Sequence, residues 1–225
     1  MADLFQDRTE AGQALAARLH YFGDRNDVVV LALPRGGVPV AAEVARALRV
    51  PLDVFLVRKL GVPGHEELAM GAIASGGVLV LNERVLSMLD IGEEAIARAA
   101  ESEGEELRRR EKVYRGRHPP VEIGGKIVLL VDDGLATGTS MRAAVTALRQ
   151  QDPAGIVIAV PVAAADTCAD LESEAEQVIC LENPEPFYAV GLFYRHFAQV
   201  TDEQVRELLE QSAEEEAHKA HSDDH

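Results

Sequence analysis

The sequence is short of aromatic side chains, with no tryptophan, four tyrosines and six phenylalanines in 225 residues. A core must therefore be built from aliphatic residues, and a hydrophobic content of 47% supplies enough of them to exclude a disordered chain. Cysteine is scarce. Cys168 and Cys180 stand in no metal-like spacing, so both read as free, buried thiols. Basic charge is short as well, since 22 Lys and Arg against 38 Asp and Glu leave a formal charge of -16. That field repels phosphate backbones and excludes nucleic acid as a natural partner. A small anion is still admissible, because backbone amides and a few local bases override the mean field. Long hydrophobic runs are absent too. Stretches such as VVVLALP are too short to cross a bilayer, and the opening MADLFQDRTEAG is too polar for a signal peptide. No membrane partner is expected, and the location that follows is cytoplasmic.

What is present is an alternation of apolar strands and amphipathic helices. Asp7 is placed to cap a first helix over RTEAGQALAARL. DVVVLALPRGGVPVAAEVARALRV then reads as strand, tight turn and helix, and PLDVFLVRKL as a second strand. GVPGHEELAMGAIASGG is a glycine-rich excursion closed by the short strand VLVL. Residues 84–118 form a helical insertion whose run EGEELRRREK predicts a solvated face laced with i, i+4 pairs. Strands over residues 126–131, GIVIAVPVA and QVICLE, separated by helices, complete the pattern. Continuous apolar strands alternating with helices imply an α/β fold. The reading is a single domain over residues 1–211 with a central, mainly parallel sheet flanked by helices. Its core covers about 28–182, a small C-terminal hood about 183–200, and residues 212–225 form a flexible acidic tail.

Two turns fall at strand carboxyl ends, where ligands bind in open α/β sheets: LPRGGVP and VDDGLATGTS. In the second, Gly134 and Gly138 permit close approach of a ligand, Thr137, Thr139 and Ser140 offer hydroxyls, and the following helix opens with unpaired amides. That set suits a phosphate, yet Asp132 and Asp133 would repel one. A ribose 5-phosphate reconciles the two demands, with its diol on the carboxylates and its phosphate in the loop. No lysine follows Gly138 as a P-loop requires, and neither turn spells a dinucleotide fingerprint.

VLLVDDGLATGTS resembles the phosphoribosyl-pyrophosphate (PRPP) motif of the type I phosphoribosyltransferases, and the order of elements over about residues 28–200 is similar to theirs. The resemblance implies a magnesium-dependent pentosyltransferase of nucleotide metabolism, with PRPP and a second small molecule as substrates. Asp132 and Asp133 would hold the ribose hydroxyls, while Gly134 and Ala136 to Ser140 would wrap the 5-phosphate. PRGG resembles the pyrophosphate loop and assigns Arg35, Gly36 and Gly37, with Arg58 and Lys59 meeting the same charge at the base of a flexible lid. Asp132, Asp133 and Lys59 are the catalytic candidates. Mg2+ would be held mainly by PRPP and water, without a dedicated protein metal site. A homodimer is compatible with the resemblance.

The acceptor is less defined. The 6-oxopurine enzymes carry an acidic residue where this chain has Ala136, and LATG is more similar to the adenine and uracil enzymes. Five aromatics fall within PFYAVGLFYRHF, and Phe187 and Tyr188 are candidates to stack on a planar acceptor. A clasp that packs the C-terminal segment onto the domain accounts for the same rings. His65, Glu66 and Glu67 in the lid are the acid-base candidates on the acceptor side. A non-catalytic PRPP or nucleotide sensor on the same fold is the alternative reading.

Overall fold

The computed structural model describes residues 5–222. The helix expected after Asp7 is α1 (Arg8–Arg18), and Asp7 caps it by accepting from the Glu10 amide at 3.0 Å. β1 (Val28–Ala32) is buried along its whole length and turns directly into α2 (Gly37–Leu48). The strand expected over PLDVFLVRKL divides into β2 (Leu52–Val54) and β3 (Val57–Val62), followed by β4 (His65–Ala74) and β5 (Val78–Leu81). The insertion is two helices, α3 (Glu83–Leu89) and α4 (Glu93–Arg115). β6 (Ile127–Val131), α5 (Thr139–Arg149), β7 (Gly155–Val162), α6 (Ala165–Leu171) and β8 (Gln177–Glu182) restore the alternation, and α7 (Asp202–Ser222) ends it. Among the described residues no helix is long and apolar enough to cross a membrane.

Five strands form one parallel sheet in the order β2-β1-β6-β7-β8. Its central strands are unbroken apolar runs because both faces are covered. Val28, Val30, Ala32 and Leu129 pack with Leu15, Val44 and Leu209 from α1, α2 and α7. Val29, Leu31, Val128 and Leu130 pack on the other side with Met141, Ala144 and Leu148 of α5. Full burial contributes roughly 1.5–3 kcal/mol for each large aliphatic side chain, so the core needs no tryptophan. β1 and β6 pair from Val28↔Ile127 to Ala32↔Val131, and their two turns leave the same edge side by side.

Three expectations are corrected. The glycine-rich lid is not a loop: β3, β4 and β5 form an antiparallel sheet of their own. Gly71 serves close backbone approach, since a Cβ there would stand 2.4 Å from the Val80 carbonyl. The charged insertion has the solvated face expected of it. Arg98–Glu94 and Arg110–Glu106 pair at 2.8 and 2.7 Å, while the inner face of α4 buries Gly104, Leu107 and Tyr114. The acidic tail is helical through Ser222 as the continuation of α7. Leu209 is buried, Glu216 Oε1 accepts from the Leu52 amide at 3.3 Å, and Lys219 Nζ donates to the Arg49 carbonyl at 3.1 Å. Finally, Cys168 and Cys180 are joined in a disulfide. They lie far enough apart in sequence to read as independent, but α6 and β8 bring their Cα atoms to 6.8 Å.

Candidate functional site

The turn after β1 and the turn after β6 touch through glycine. A Cβ on Gly37 would stand 2.8 Å from both the Asp132 Cα and the Val131 carbonyl oxygen, and one on Gly36 would stand 2.1 Å from Asp133 Oδ2. The Arg-Gly-Gly sequence thus lets one backbone lie against the other. Beyond these strand ends is a cavity of about 140 Å³ lined by Pro34, Arg58, Arg110, Tyr114, Asp132 and Ser140, with an apolar floor that includes Phe55. Larger hollows, about 410 and 890 Å³, lie beside β2 and α7 and at the amino ends of the strands, and no residue of either turn lines them. The small cavity holds the motif side chains, and position beyond the strand carboxyl ends outweighs size.

The paired aspartates face different ways. Asp132 lines the cavity, and its Oδ1 accepts from the Asp133 amide at 2.8 Å. Burial, then the neighbouring charge of Asp133, push its carboxyl well above the usual carboxylate range. Asp133 is raised by burial and drawn down by Arg8, whose Nε and Nη2 both reach Oδ2 at 2.8 Å. The two side chains are only 11% and 14% exposed, so this ion pair is shielded from solvent screening. One guanidinium is what lets two adjacent carboxylates sit together.

The phosphate-type loop is open. Ala136, Thr137, Thr139 and Ser140 are exposed, and Gly138 sits at φ +68° as the N-cap of α5 without a side-chain cap. The first amides of α5 are therefore left for a ligand. The Thr137 and Thr139 hydroxyls lie 3.2 Å apart. Thr167 of α6 supports the loop from below, donating its hydroxyl to the Ala136 carbonyl at 2.7 Å. Gly134 is buried, and Val190 and Val162 occupy the space a side chain would take.

Of the expected cations, Arg58 lines the cavity and is paired with Glu103 of α4. Lys59 alternates to the other face of β3, exposed, and its Nζ donates to the Glu67 carbonyl at 3.2 Å. The hairpin thus brings Lys59 and Glu67 together outside the cavity. His65 is exposed at the hairpin turn, and the Glu66 side chain lies outside the described residues. Arg35 borders the site, 3.5 Å from Asp202, which also accepts the Tyr114 hydroxyl at 2.9 Å. Burial, then that hydrogen bond, push the Tyr114 phenol up to about 12. Arg110 and Tyr114 were missed in the sequence because α4 reads as a solvated helix, and only the i, i+4 spacing of these two residues hints at a shared face.

Most of the C-terminal aromatics form a clasp. Tyr194 is buried, bridges to Phe5, and donates its hydroxyl to the Asp133 carbonyl at 2.6 Å. Phe187 stacks on Phe193 with centroids 5.3 Å apart, whereas Tyr188 is 78% exposed. Arg8, the other residue that sequence reasoning missed, has its guanidinium 3.9 Å from the Phe197 ring centroid.

A parallel sheet flanked by helices, whose central strands end in a glycine turn and in an acidic, hydroxyl-rich helix start, defines the class as α/β. The phosphoribosyl transferase domain family matches residues 5–194, and the chain belongs to that family. Two Mycobacterium tuberculosis proteins, from strains CDC 1551 and H37Rv, whose names class them provisionally as phosphoribosyl transferases, are each 43% identical over 209 residues. The match takes in 93% of this chain but only 47% of those relatives, so the chain spans about half their length. The crystal structure of TT1426 from Thermus thermophilus is 44% identical, covers 92% of this chain and 98% of its own, and superposes with a TM-score of 0.82.

Proposed function

We propose that the protein is a phosphoribosyltransferase that binds PRPP and transfers its 5-phosphoribosyl group to a nitrogenous base or similar acceptor, releasing pyrophosphate. The observation that carries this reading is the position of Asp132, between the basic wall of Arg58 and Arg110 and the uncapped start of α5. In it, Asp132 and Asp133 accept the ribose hydroxyls, and Gly134 and Ala136 to Ser140 enclose the 5-phosphate. The pyrophosphate lies toward Gly36, Gly37, Arg35, Arg58 and Arg110. Lys59 reaches it only if the hairpin moves inward, which makes Lys59 the weaker catalytic candidate of the three. Mg2+ would be held mainly by PRPP and water and, when bound, would supply neutralising charge to the pyrophosphate. The cations that line the cavity suit such a polyanion.

The chemistry is a displacement at the anomeric carbon. The C1–O bond breaks with its electron pair leaving on pyrophosphate, a C1–N bond forms, and the acceptor proton passes to solvent or a base. Positive charge develops on the ribose, so a carboxylate beneath the diol and fixed cations on the leaving group lower the barrier. Positioning supplies the rest. On the acceptor side Tyr188 offers an exposed ring, Phe187 stacks on Phe193, and Glu67 is the candidate acid of the hairpin. A screen for pyrophosphate release with PRPP, Mg2+ and a panel of bases, amines and phenols tests the reading. Release with one acceptor class is expected. Tight PRPP binding with no release for any acceptor would replace the enzyme by a sensor.

A further inference from the structure

We propose that Arg8, on the first helix, is a positioning residue for PRPP that acts through Asp133. The proposal rests on the donor reading above, in which Asp133 accepts a ribose hydroxyl. Both contacts of Arg8 fall on one oxygen, Oδ2. The carboxylate also meets the Asp132 side chain, so it stands between Arg8 and its acidic neighbour. A guanidinium on Oδ2 fixes the carboxylate and offsets its charge, and in the donor reading the remaining acceptor capacity of Asp133 serves a ribose hydroxyl.

Arg8 is itself held by the far end of the domain. Its Nη1 donates to the Ala198 carbonyl at 2.8 Å, and its guanidinium lies 3.9 Å from the Phe197 ring centroid and 6.0 Å from that of Tyr194. Tyr194 closes the circuit through its hydroxyl on the Asp133 carbonyl. An N-terminal helix and a C-terminal clasp thus converge on one motif side chain. The groups facing Asp133 are Arg8, Asp132 and Tyr194, and among the described residues Arg8 is the one cation paired with it. Without Arg8, two adjacent carboxylates would share a proton, and one acceptor for the diol would be lost.

The test is PRPP binding by calorimetry, in Mg2+ buffer, to the wild type, Arg8→Met, Arg8→Lys, Asp133→Asn and the Arg8→Met/Asp133→Asn pair. Circular dichroism and melting establish that each variant is folded. Arg8→Met is expected to weaken PRPP about tenfold or more, and Arg8→Lys to recover most of that loss. In the Asp133→Asn background the Arg8→Met change is expected to cost less than about threefold, because its partner is gone. Wild-type affinity in Arg8→Met, or an equal loss in both backgrounds, overturns the positioning role while leaving the donor reading intact. If Arg8→Met does not fold, Arg8→Gln takes its place under the same comparison. Failure of the wild-type protein to bind PRPP overturns the donor reading itself, and the role of Arg8 with it.

Discussion

Gly36 lies against the carboxylate of Asp133, close enough that a Cβ on residue 36 would meet Oδ2 at 2.1 Å and Cγ at 2.7 Å. A free aspartate would swing aside, but this one is held by Arg8. Gly36→Ala is therefore expected to lower PRPP affinity by forcing that carboxylate against its Arg8 pair, with a stability loss that comes from the strained pair rather than from the backbone. Gly37→Ala is expected to be costlier for the fold, by about 1–3 kcal/mol, because its obstacles are the backbone atoms of Asp132 and Val131. Urea unfolding and PRPP calorimetry on the two variants separate the effects. Equal stability losses would contradict the argument.

Asp132 is held at a cost to the fold. Burial and the charge of Asp133 raise its carboxyl, so the folded chain keeps a proton that the unfolded chain releases near pH ~4. Where the folded state binds more protons, stability falls as pH rises. The loss begins near the unfolded value and grows until the raised folded value is passed. Asp132→Asn keeps an oxygen to accept from the Asp133 amide but carries no charge. Its melting temperature is expected to exceed the wild-type value at pH 7–8, by roughly 2–8 °C, and to converge with it below pH ~4. PRPP binding should fall in the same variant. A lower melting temperature at pH 8 would show that the carboxylate is not a burden.

The sheet and both turns were legible because their signals are local. Five β-branched or aliphatic residues in a row at β1 and the order of residues in VDDGLATGTS need no distant partner to be read. The hairpin was misread because Gly61, Gly64 and Gly71 look alike in sequence. Only the packed sheet shows that Gly71 serves the approach of Val80. The tail failed for a related reason: charge dominates its composition, and burial on one narrow face, there as on α4, is decided by the surface the helix meets. Arg8 follows its capping residue as an ordinary first-turn residue, and its partner lies 125 positions away. The disulfide was invisible for the same reason, since only the packing of α6 against β8 sets that distance.

Asp53 and Arg115 tie β2 to the end of α4, with Arg115 Nε at 2.8 and 3.0 Å from the two carboxylate oxygens and Nη2 on the Val54 carbonyl at 2.9 Å. Asp53 also accepts the Val121 amide at 3.1 Å. The Arg115 and Asp53 side chains are 12% and 7% exposed, so truncating one partner strands a buried charge. Arg115→Met is expected to destabilise by about 3–5 kcal/mol, whereas Arg98→Met, which breaks an exposed pair on the same helix, should cost under ~1 kcal/mol. Chemical denaturation measures both. Similar small losses would mean that the buried pair is screened.

The disulfide stands next to the support of the phosphate-type loop. Cys168 follows Thr167, whose hydroxyl holds the Ala136 carbonyl and whose Cγ2 would lie 2.8 Å from a Cβ on Gly138. The bond to Cys180 closes a short loop, with a separation of 12 residues, and anchors α6 to β8. A cross-link of this size contributes about 2–4 kcal/mol, so Cys168→Ser/Cys180→Ser, or the wild type in reductant, is expected to melt roughly 5–10 °C lower. Thr167→Val removes a single hydrogen bond and should cost only about 0.5–1.5 kcal/mol. Its effect on PRPP affinity should be the larger of the two, because it frees Ala136 directly, whereas the broken disulfide leaves the hydroxyl contact in place. Melting with and without reductant, alongside PRPP calorimetry on both variants, decides the order. A melting temperature indifferent to reductant would return the two cysteines to independent thiols.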